Sequence, residues 1–470
     1  MAVFLCHFLK APEKASGSGY TGRQMGHNTF DRGIHPAYYK ELTSSKKVER
    51  ARLPVTVVIP LQQHAGAPCD PLVKKGDLVQ EGQKIGDATS FVSAPVHASI
   101  SGKVKEIDLH QHPAGYRVLS VVIEGDGTTK EWPATPVELS SLTPEKIREI
   151  IREAGIVGMG GAGFPTSVKL APPKGKTIDA ILLNGCECEP FLTADHRIML
   201  EQASNVVWGL RAIMKATGAA KGFIGIEENK PDAVEAVQKA ISGSTDLKII
   251  VLEAKYPQGA EKMLIKAALN RKVPVGRLPL DVGVVVNNVG TAVAVYEAIN
   301  LGKPLIERIV TVSGPGVKEP KNLLVRVGTS FEEVLGQCGG VVAEGEIEVL
   351  NGGPMMGIAQ TALGVSVIKG TSGITVLSGA SLKRPGFEPC IRCASCVSVC
   401  PMGLMPYRLG DYGKAFRADE FKAWDGGACI ECGCCSYVCP SKRPLLHWIR
   451  LGKLKVREQA AKTAKAAGNK

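Results

Sequence analysis

The chain has 470 residues, of which 44% are hydrophobic and 22% charged, so its composition is that of a globular protein rather than a disordered one. At the usual domain size this length predicts about three or four domains. The net charge of +12 does not indicate nucleic-acid binding, because residues 441–470 carry nine Lys or Arg against one acidic residue and supply +8 of it. The most apolar stretch, residues 282–299, contains two Asn and one Glu and therefore cannot cross a bilayer. Since the N-terminus lacks the pattern of a secretory signal, the 14 cysteines favour metal ligation over disulfides.

The first 130 residues predict an extension followed by a small β domain. Residues 1–28 show no periodic pattern, and we expect a disordered extension, with Met25 as an alternative start. Residues 29–130 contain β-branched runs separated by Gly-Asp and Gly-Gln turns, which predicts short strands. The two halves of this segment resemble a biotinyl- or lipoyl-type barrel-sandwich. Such carriers place a modifiable lysine in the hairpin between the halves, but residues 93–97 contain none, so we expect a structural or docking role.

The middle of the chain predicts two further domains. Residues 140–305 alternate apolar strands with amphipathic helices, which is typical of an α/β domain with a mainly parallel sheet. Thr143 followed by Pro144 marks the start of its first helix. Residues 306–380 return to short strands and glycine turns and predict a small β-rich domain. The fold class is therefore multi-domain α/β, and we expect residues 446–470 to form a basic tail behind a cysteine-rich domain.

Eight cysteines form two runs of identical spacing within residues 385–445. Each run reads Cys-x2-Cys-x2-Cys-x3-Cys-Pro, the spacing of two-cluster bacterial ferredoxins, in which the fourth cysteine of a run binds the other [4Fe–4S] cluster. One predicted ligand set is Cys390, Cys393, Cys396 and Cys439. The second is Cys400, Cys429, Cys432 and Cys435. A pair of zinc sites is the alternative, which this repeated spacing disfavours. Cys434 stands beside Cys435 and is expected to be a spare thiol.

A glycine loop, residues 158–163, lies between two helical patterns. Glycines let a backbone approach a phosphate closely, but they also make ordinary turns. No strand leads directly into this loop, so it differs from a Rossmann fingerprint. On its own the loop does not identify a ligand.

Three later segments, residues 184–197, 256–261 and 286–291, make the glycine loop specific. With GMGGAGFPTSVK they resemble, in order, the flavin-binding subunit of respiratory complex I, where such segments enclose FMN and the NADH that stacks on it. The resemblance implies that FMN is bound by Gly158, Gly160, Gly161, Gly163, Lys169, Asn184, Glu187, Tyr256, Gly259, Asn287, Asn288 and Thr291. It also implies that Phe164, Glu189 and Glu261 face the nicotinamide nucleotide and position it for hydride transfer.

Three residues depart from the complex I pattern. Met159 stands in place of an arginine, Cys186 in place of an aspartate and Ala260 in place of a glutamate. Each change removes a charge near the nucleotide. The alternative that the chain is an electron relay without a working NADH site therefore stays open. Cys186 and Cys188 are either buried in their loop or redox-active, and we expect burial.

The order of all these segments resembles the RnfC family, a component of the Rnf electron-transport complex, over residues 28–445, with a β-grasp-like (SLBB) domain at 306–380. Arg32 departs from the family opening, which usually has two glycines before Ile-His-Pro. The resemblance implies a peripheral NADH-dependent oxidoreductase component on the cytoplasmic face of the inner membrane. It would pass electrons between NAD(H), FMN and two [4Fe–4S] clusters. Partner subunits would reduce or oxidise ferredoxin or flavodoxin and translocate Na⁺ or H⁺, and membrane contact would be indirect or through the basic tail.

Two other flavoprotein groups share some of these modules. A cobalamin-reductase-like protein of microcompartments has the flavin, β-grasp and cluster modules, but its chain begins near the glycine loop, which here starts only at residue 158. A relative of the corresponding component of the quinone reductase is disfavoured by the two ferredoxin-like runs. We therefore favour the Rnf assignment.

Overall fold

The structure is a computed structural model that describes residues 28–342, 345–382 and 386–468. These residues form a barrel-sandwich, an α/β domain, a β-grasp-like domain and a helical cysteine-rich domain, as the sequence predicts. The expectation for residues 1–27 lies outside the described residues. Among the helices that are described, none combines the length and apolarity needed to cross a membrane.

The barrel-sandwich follows a short first strand. The strands of this region are β1 (Val48–Arg50), β2 (Thr56–Pro60), β3 (Asp70–Pro71), β4 (Leu78–Val79), β5 (Lys84–Asp87), β6 (Val96–His97), β7 (Gly102–Gln111) and β8 (Arg117–Gly125). A four-stranded sheet in the order β2-β8-β7-β4 packs with a three-stranded sheet, β3-β5-β6. Alternate residues of β2, Val57 and Ile59, are fully buried in the core between them.

The hairpin that would carry a modified lysine is fixed in place by a buried lysine from another domain. Lys369 is 1% exposed and its Nζ donates hydrogen bonds to the carbonyls of Pro95, at 2.6 Å, and Gly155, at 2.7 Å. Burial lowers the pKa of this ammonium to about 7. Because the hairpin is clamped between neighbouring domains, it supports a structural role for the barrel-sandwich.

The α/β domain is built on a parallel sheet with helices on both faces. Its elements are α1 (Pro144–Glu153), α2 (Thr166–Lys169), β9 (Ala180–Gly185), α3 (Ala194–Glu201), α4 (Ala203–Thr217), β10 (Lys221–Glu227), α5 (Pro231–Ala240), β11 (Leu247–Leu252), α6 (Glu261–Leu269), β12 (Val284–Asn288) and α7 (Val289–Asn300). The strand order is β11-β10-β9-β12, and every pairing is parallel. Along β9, Ile181 and Leu183 face one core whereas Leu182 faces the other. A central parallel strand with both faces covered explains the continuous apolar run in the sequence.

The β-grasp-like domain borrows a strand from the N-terminus. Its own elements are β13 (Glu307–Ser313), β14 (Lys321–Arg326), α8 (Phe331–Gly336), β15 (Ile347–Asn351), β16 (Ile358–Gln360) and β17 (Gly373–Ser378). They form a sheet in the order β1-β14-β13-β17-β15-β16, in which β1 pairs with β14 in parallel.

The cysteine-rich domain is helical, and the last helix is part of its core. Its helices are α9 (Ser395–Ser398), α10 (Pro406–Lys414), α11 (Ala418–Ala423), α12 (Cys434–Tyr437) and α13 (Leu445–Gly468). Leu445, Trp448 and Ile449 of α13 are buried against α10 and α11. The boundary predicted at residue 446 therefore falls inside a helix, because the first turns of the basic segment carry apolar side chains that this small domain needs.

Residues 28–50, here called the N-terminal strap, do not pack with the barrel-sandwich with which the sequence grouped them. The backbones of Ile34 and Tyr256 exchange two hydrogen bonds of 2.8 Å. Lys40 donates to the carbonyls of Glu187, Glu189 and Leu192 at 2.6–3.0 Å. The strap thus joins the α/β domain to the β-grasp sheet through β1 and to the cysteine-rich domain through Gly33, whose N–H lies 3.1 Å from the carbonyl oxygen of Val399.

Candidate functional site

The segments singled out in the sequence meet at one edge of the parallel sheet. Residues 184–189 follow β9, residues 256–261 follow β11, and residues 287–291 lie at the end of β12. Chain order reverses between β9 and β12, since β10 and β11 lie on one side of β9 and β12 on the other. In open α/β sheets this switch point at the carboxyl ends of the strands is where ligands bind.

The glycine loop packs against this switch point. The N–H of Gly158 donates to the carbonyl of Phe164 at 2.8 Å, which closes the loop, and the N–H of Met159 donates to the Thr291 hydroxyl at 3.1 Å. A Cβ on Gly160 would lie 3.3 Å from the Cβ of Asn288, whereas a Cβ on Gly161 would meet no protein atom within 4 Å. The loop is therefore anchored at both ends and open in the middle, which suits a bound flavin.

Gly163 and Phe164 end the loop in different surroundings. Gly163 has φ +61°, and a Cβ there would lie 3.2 Å from the carbonyl oxygen of Gln63 in the barrel-sandwich. Glycine is needed at this position, since the left-handed conformation and the close approach both disfavour a side chain. Phe164 is 37% exposed, so its ring is available to a ligand.

Asn287 is the predicted ligand whose side chain most clearly lacks a protein partner. It is 4% exposed, and neither its Nδ2 nor its Oδ1 has a hydrogen-bond partner among the described residues. Buried amides are normally paired, so an unpaired one at the switch point fits a group that accepts and donates hydrogen bonds, as the flavin ring does. Asn184, in contrast, donates to the Gly259 carbonyl at 2.8 Å and accepts from the Cys186 N–H at 3.1 Å.

Glu187 and Asn288 organise helix starts. The Glu187 carboxylate accepts from the N–H groups of Asp195, at 2.8 Å, and His196, at 3.0 Å, in the first turn of α3. Asn288 caps α7 by accepting from the N–H of Gly290 at 2.8 Å, and its Nδ2 donates to Asp195 at 2.6 Å. Burial, and then the nearby Glu187 charge, raises the pKa of Asp195 to about 7.

Lys169 was predicted to bind FMN, and Glu261 was predicted to face the nicotinamide nucleotide. In the structure the two side chains form an ion pair with each other at 2.8 Å. Both side chains are partly exposed, at 28% and 39%. An exposed pair of this kind is weakly held. Either group can therefore turn to a phosphate or a nucleotide without a large loss.

Glu189 bridges two domains, which the sequence did not predict. Its carboxylate accepts from the N–H groups of Met355, at 3.0 Å, and Met356, at 2.7 Å, in the turn between β15 and β16. Burial raises the pKa of Glu189 to about 7, and these two hydrogen bonds act in the opposite direction. A Cβ on Gly353 would lie 2.3 Å from the Glu189 carboxylate, so the β-grasp turn is fitted closely around it.

Tyr256 connects the α/β domain with a cysteine run. Its side chain is fully buried, and its hydroxyl donates to the carbonyl of Cys432 at 2.8 Å. Three residues later the N–H of Gly259 lies 3.4 Å from the Cys188 sulfur. The segment 256–261 therefore touches both the predicted flavin site and a predicted cluster loop.

Cys186 and Cys188 are buried, as expected from the sequence. Burial raises the pKa of both thiols well above its ordinary value, and the nearby Glu227 acts in the same direction. Thiolates are the reactive form, so these thiols are poor candidates for redox chemistry. Met159, in place of the arginine of the complex I pattern, is 5% exposed and packs in the apolar core.

The cysteines of the two runs are grouped as the crossed ligation requires. Electrostatic neighbours of the Cys396 thiol are Cys439, Cys390 and Cys393. Electrostatic neighbours of the Cys435 thiol are Cys432, Cys429 and Cys400, followed by Cys396 of the other set. One cavity is lined by Cys400, Cys429, Cys432 and Cys435, together with Cys434 and mostly apolar side chains. Cys390 and Cys393 are exposed. Two sets of thiols, one at the surface and one enclosed, fit two clusters.

Cys434 lies beside the second set and lines the same cavity, next to Cys432. It is fully buried beside Tyr256, with its sulfur 4.0 Å from the Tyr256 carbonyl oxygen, and it shares a core with Cys188 and Leu350. Cys435 instead packs with Cys396 in the core of the cysteine-rich domain. This arrangement supports Cys435 as the ligand.

Two residues at the site were missed by the sequence reasoning. Gln258 is fully buried beside Gly259, and both polar atoms of its amide are without a partner in the described part of the chain. Its place within the Tyr-x-x-Gly segment was the available signal. Arg32 was treated as a local departure, yet its guanidinium reaches the carbonyl of Cys400 at 3.3 Å. Nothing in the local sequence indicates a contact between residues so far apart in the chain.

Four family models match the chain, in the order of the domains. They are described as the RnfC barrel sandwich hybrid domain at residues 28–128, the Nuo51 FMN-binding domain at 151–297, the SLBB domain at 309–359 and the 4Fe-4S dicluster domain at 389–443. The chain is 47% identical over 438 residues to the C component of the Na(+)-translocating ferredoxin:NAD(+) oxidoreductase complex of Acetobacterium woodii, covering 93% of this chain and 99% of that protein. It belongs to the RnfC family.

Two further members of the RnfC family extend this result. The C component of the proton-translocating ferredoxin:NAD(+) oxidoreductase complex of Clostridium ljungdahlii is 47% identical over 396 residues, with 84% of this chain and 86% of that one covered. The C component of the ion-translocating oxidoreductase complex of Rhodobacter capsulatus is 42% identical over 382 residues, with 80% and 73% covered. The family, FMN and dicluster predictions are thus confirmed, and the zinc and cobalamin-reductase alternatives are set aside. The individual ligands stay predictions.

Proposed function

We propose that this chain passes electrons between NAD(H), FMN and two [4Fe–4S] clusters as a peripheral component of an ion-translocating ferredoxin:NAD⁺ oxidoreductase complex. The observation that carries the proposal is the hydrogen bond from the Tyr256 hydroxyl to the Cys432 carbonyl. It joins a segment of the flavin site directly to a cluster loop through a fully buried side chain. The two kinds of redox site therefore share one rigid packing unit.

Residues of the α/β domain hold and orient the flavin and the nucleotide. Bound FMN supplies the conversion between the two-electron chemistry of a hydride and the one-electron chemistry of iron–sulfur clusters. The open middle of the glycine loop gives the backbone access to it, and Asn287 and Gln258 offer amides that have no other partner among the described residues. Phe164, which is 37% exposed, offers its ring to the nicotinamide nucleotide.

The two cysteine sets differ in what they can contact. The set that contains Cys432 is enclosed and touches the α/β domain. The other set includes the exposed Cys390 and Cys393, so it lies where another protein of the complex can reach it. We propose that the enclosed set communicates with the flavin site and that the exposed set communicates with partners.

The chain acts on the cytoplasmic face of the inner membrane in this proposal. NAD(H) and ferredoxin are intracellular electron carriers, and a protein that uses them must meet them there. The C-terminal half of α13 is exposed from residue 457 to 463, and in the sequence Lys462, Lys465 and Lys470 lie at the end of the basic segment. Basic residues next to an anionic leaflet support attachment.

Anaerobic titration of the full chain, loaded with FMN and both clusters, tests the proposal. NADH should bleach the flavin absorbance and then the cluster absorbance. In stopped-flow experiments Tyr256→Phe should slow the second phase, because it removes the hydroxyl that contacts the cluster loop. Tyr116→Phe, at an exposed tyrosine of the barrel-sandwich, is the matched control and should behave as wild type.

Two outcomes would contradict parts of the proposal. If FMN binds but NADH reduces neither centre, the chain is a relay without a nucleotide site. The engagement of Glu189 by the N–H groups of Met355 and Met356 is the observation that favours this second function. If Tyr256→Phe leaves both phases unchanged, the proposed contact between the sites carries no electron transfer.

A further inference from the structure

Arg32 occupies a backbone position that does not favour a side chain. Its φ is +68°, in the left-handed region where glycine is the preferred residue. The next residue, Gly33, holds the strap to the cysteine-rich domain through its own N–H, 3.1 Å from the Val399 carbonyl oxygen. The strap therefore does not need the Arg32 side chain for its attachment, and the conformational cost of an arginine here calls for another reason.

The Arg32 guanidinium lies at the end of a cluster-binding loop. Its Nη1 is 3.3 Å from both the Val397 and the Cys400 carbonyl oxygens, at the C-terminal end of α9. Each of these carbonyls also accepts a backbone N–H, from Cys400 at 3.2 Å and from Gly403 at 3.0 Å, and a carbonyl oxygen has a second lone pair for the guanidinium. Arg32 thus brings a permanent positive charge to one cysteine of the enclosed set.

Two other cations border the enclosed set and share a single carboxylate. Lys453 donates to the Cys429 carbonyl at 2.6 Å, but it and Arg450 are both paired with Glu431, at 2.8 and 3.0 Å. Arg32 makes its two hydrogen bonds to neutral carbonyls, so its charge is not cancelled by a carboxylate within them.

We propose that Arg32 raises the reduction potential of the cluster held by the enclosed set relative to that of the exposed set. The inference rests on the cluster assignment in the proposed function. Reduction adds one electron from the titrant to the cluster, and no bond is made or broken. Since the added charge is negative, a nearby fixed cation stabilises the reduced cluster more than the oxidised one. Arg32 acts on the reduction potential through its charge and does not bind the cluster.

EPR-monitored redox titration of the holo chain tests the proposal, with Arg32→Gly as the main variant. Glycine suits the backbone at φ +68°, so the variant should fold. At a fixed ambient potential, the ratio of reduced to oxidised enclosed cluster should fall about two- to fivefold, as for exposed charge pairs. At about 59 mV per tenfold for a one-electron couple, this is a shift of about 20–40 mV. The other cluster should shift less.

Three companion variants separate charge from structure. Arg32→Gln can still donate a hydrogen bond but is neutral, so it should shift the potential as glycine does, whereas Arg32→Lys should keep most of the wild-type value. Arg277→Gly removes an exposed arginine of the α/β domain and should leave both potentials unchanged. Cys400→Ser identifies the EPR signal of the enclosed cluster. Added salt should shrink the effect of Arg32.

The possible failures are distinguishable. Two intact clusters with unshifted potentials in Arg32→Gly and Arg32→Gln would overturn the role of Arg32 alone. An equal shift of both clusters would overturn it as well. If Cys400→Ser removes no cluster signal, the cluster assignment is wrong, and the inference fails with it.

Discussion

Asn287 allows the flavin site to be tested by two effects of opposite sign. Its amide is buried and has no partner among the described residues. A buried polar group left unpaired costs about 1–3 kcal/mol. Asn287→Leu keeps a similar volume and removes that cost, so the flavin-free chain should become more stable by up to that amount. The same change removes a donor and an acceptor from the flavin site, and FMN affinity should fall about tenfold or more.

Asn184 is the matched control, because its amide is already paired within the chain. It donates to the Gly259 carbonyl at 2.8 Å and accepts from the Cys186 N–H at 3.1 Å. Asn184→Leu should therefore destabilise the flavin-free chain by about 1–3 kcal/mol. Urea unfolding of the flavin-free proteins and quenching of FMN fluorescence measure the two effects. Loss of stability in Asn287→Leu with unchanged FMN affinity would refute the reasoning.

Three further predictions concern pH, cluster ligation and the C-terminus. Burial raises the pKa of Glu189 from 4.5 to about 7, so its contribution to stability is full below about pH 4.5 and is lost as the pH rises through 7. Between about pH 5 and 8 the free energy of unfolding should therefore fall less in Glu189→Gln than in wild type, by at most about 3 kcal/mol. An equal fall with pH in the two proteins, measured by urea unfolding, would contradict this. Cys435→Ser should lose one cluster by iron analysis and EPR whereas Cys434→Ser keeps both, and the reverse result would change the ligand set. Truncation after Gln459 removes three lysines, each worth about 1 kcal/mol at an anionic surface, so vesicle cosedimentation should weaken up to about 100-fold at low salt. Full vesicle binding by the chain that ends at Gln459 would exclude the tail as an anchor. Truncation after Leu445 should instead unfold the cysteine-rich domain.

Helices, strands and ligand runs were predicted well where the sequence has a regular pattern of apolar residues or a fixed spacing of cysteines. Residues 180–183 are a continuous apolar run because β9 is central and covered by helices on both faces. The two cysteine runs were recognisable because ligation imposes a fixed spacing. The segments that follow β9, β11 and β12 were grouped by their resemblance to a known flavin site, and the folded chain brings them together because carboxyl ends of parallel strands share an edge.

Contacts between distant segments could not be predicted in the same way. The strap was grouped with the barrel-sandwich because it precedes it, but Lys40 and β1 pack against later domains. Glu189 was assigned to a nucleotide from a motif, and only the folded chain brings Met355 and Met356 to it. Such pairs are set by how whole domains dock, which leaves no periodic trace in either segment.

The segment around Tyr256 shows why a motif residue need not have a single role. Its backbone pairs with Ile34 of the strap, its hydroxyl with Cys432 of a cluster loop, and the nearby Gly259 with Asn184 of the flavin site. Because these contacts lie within four residues, a movement of the cluster loop cannot occur without displacing the flavin segment or breaking a buried hydrogen bond. The arrangement therefore fixes the spacing between the two redox sites, on which the rate of electron transfer depends most directly.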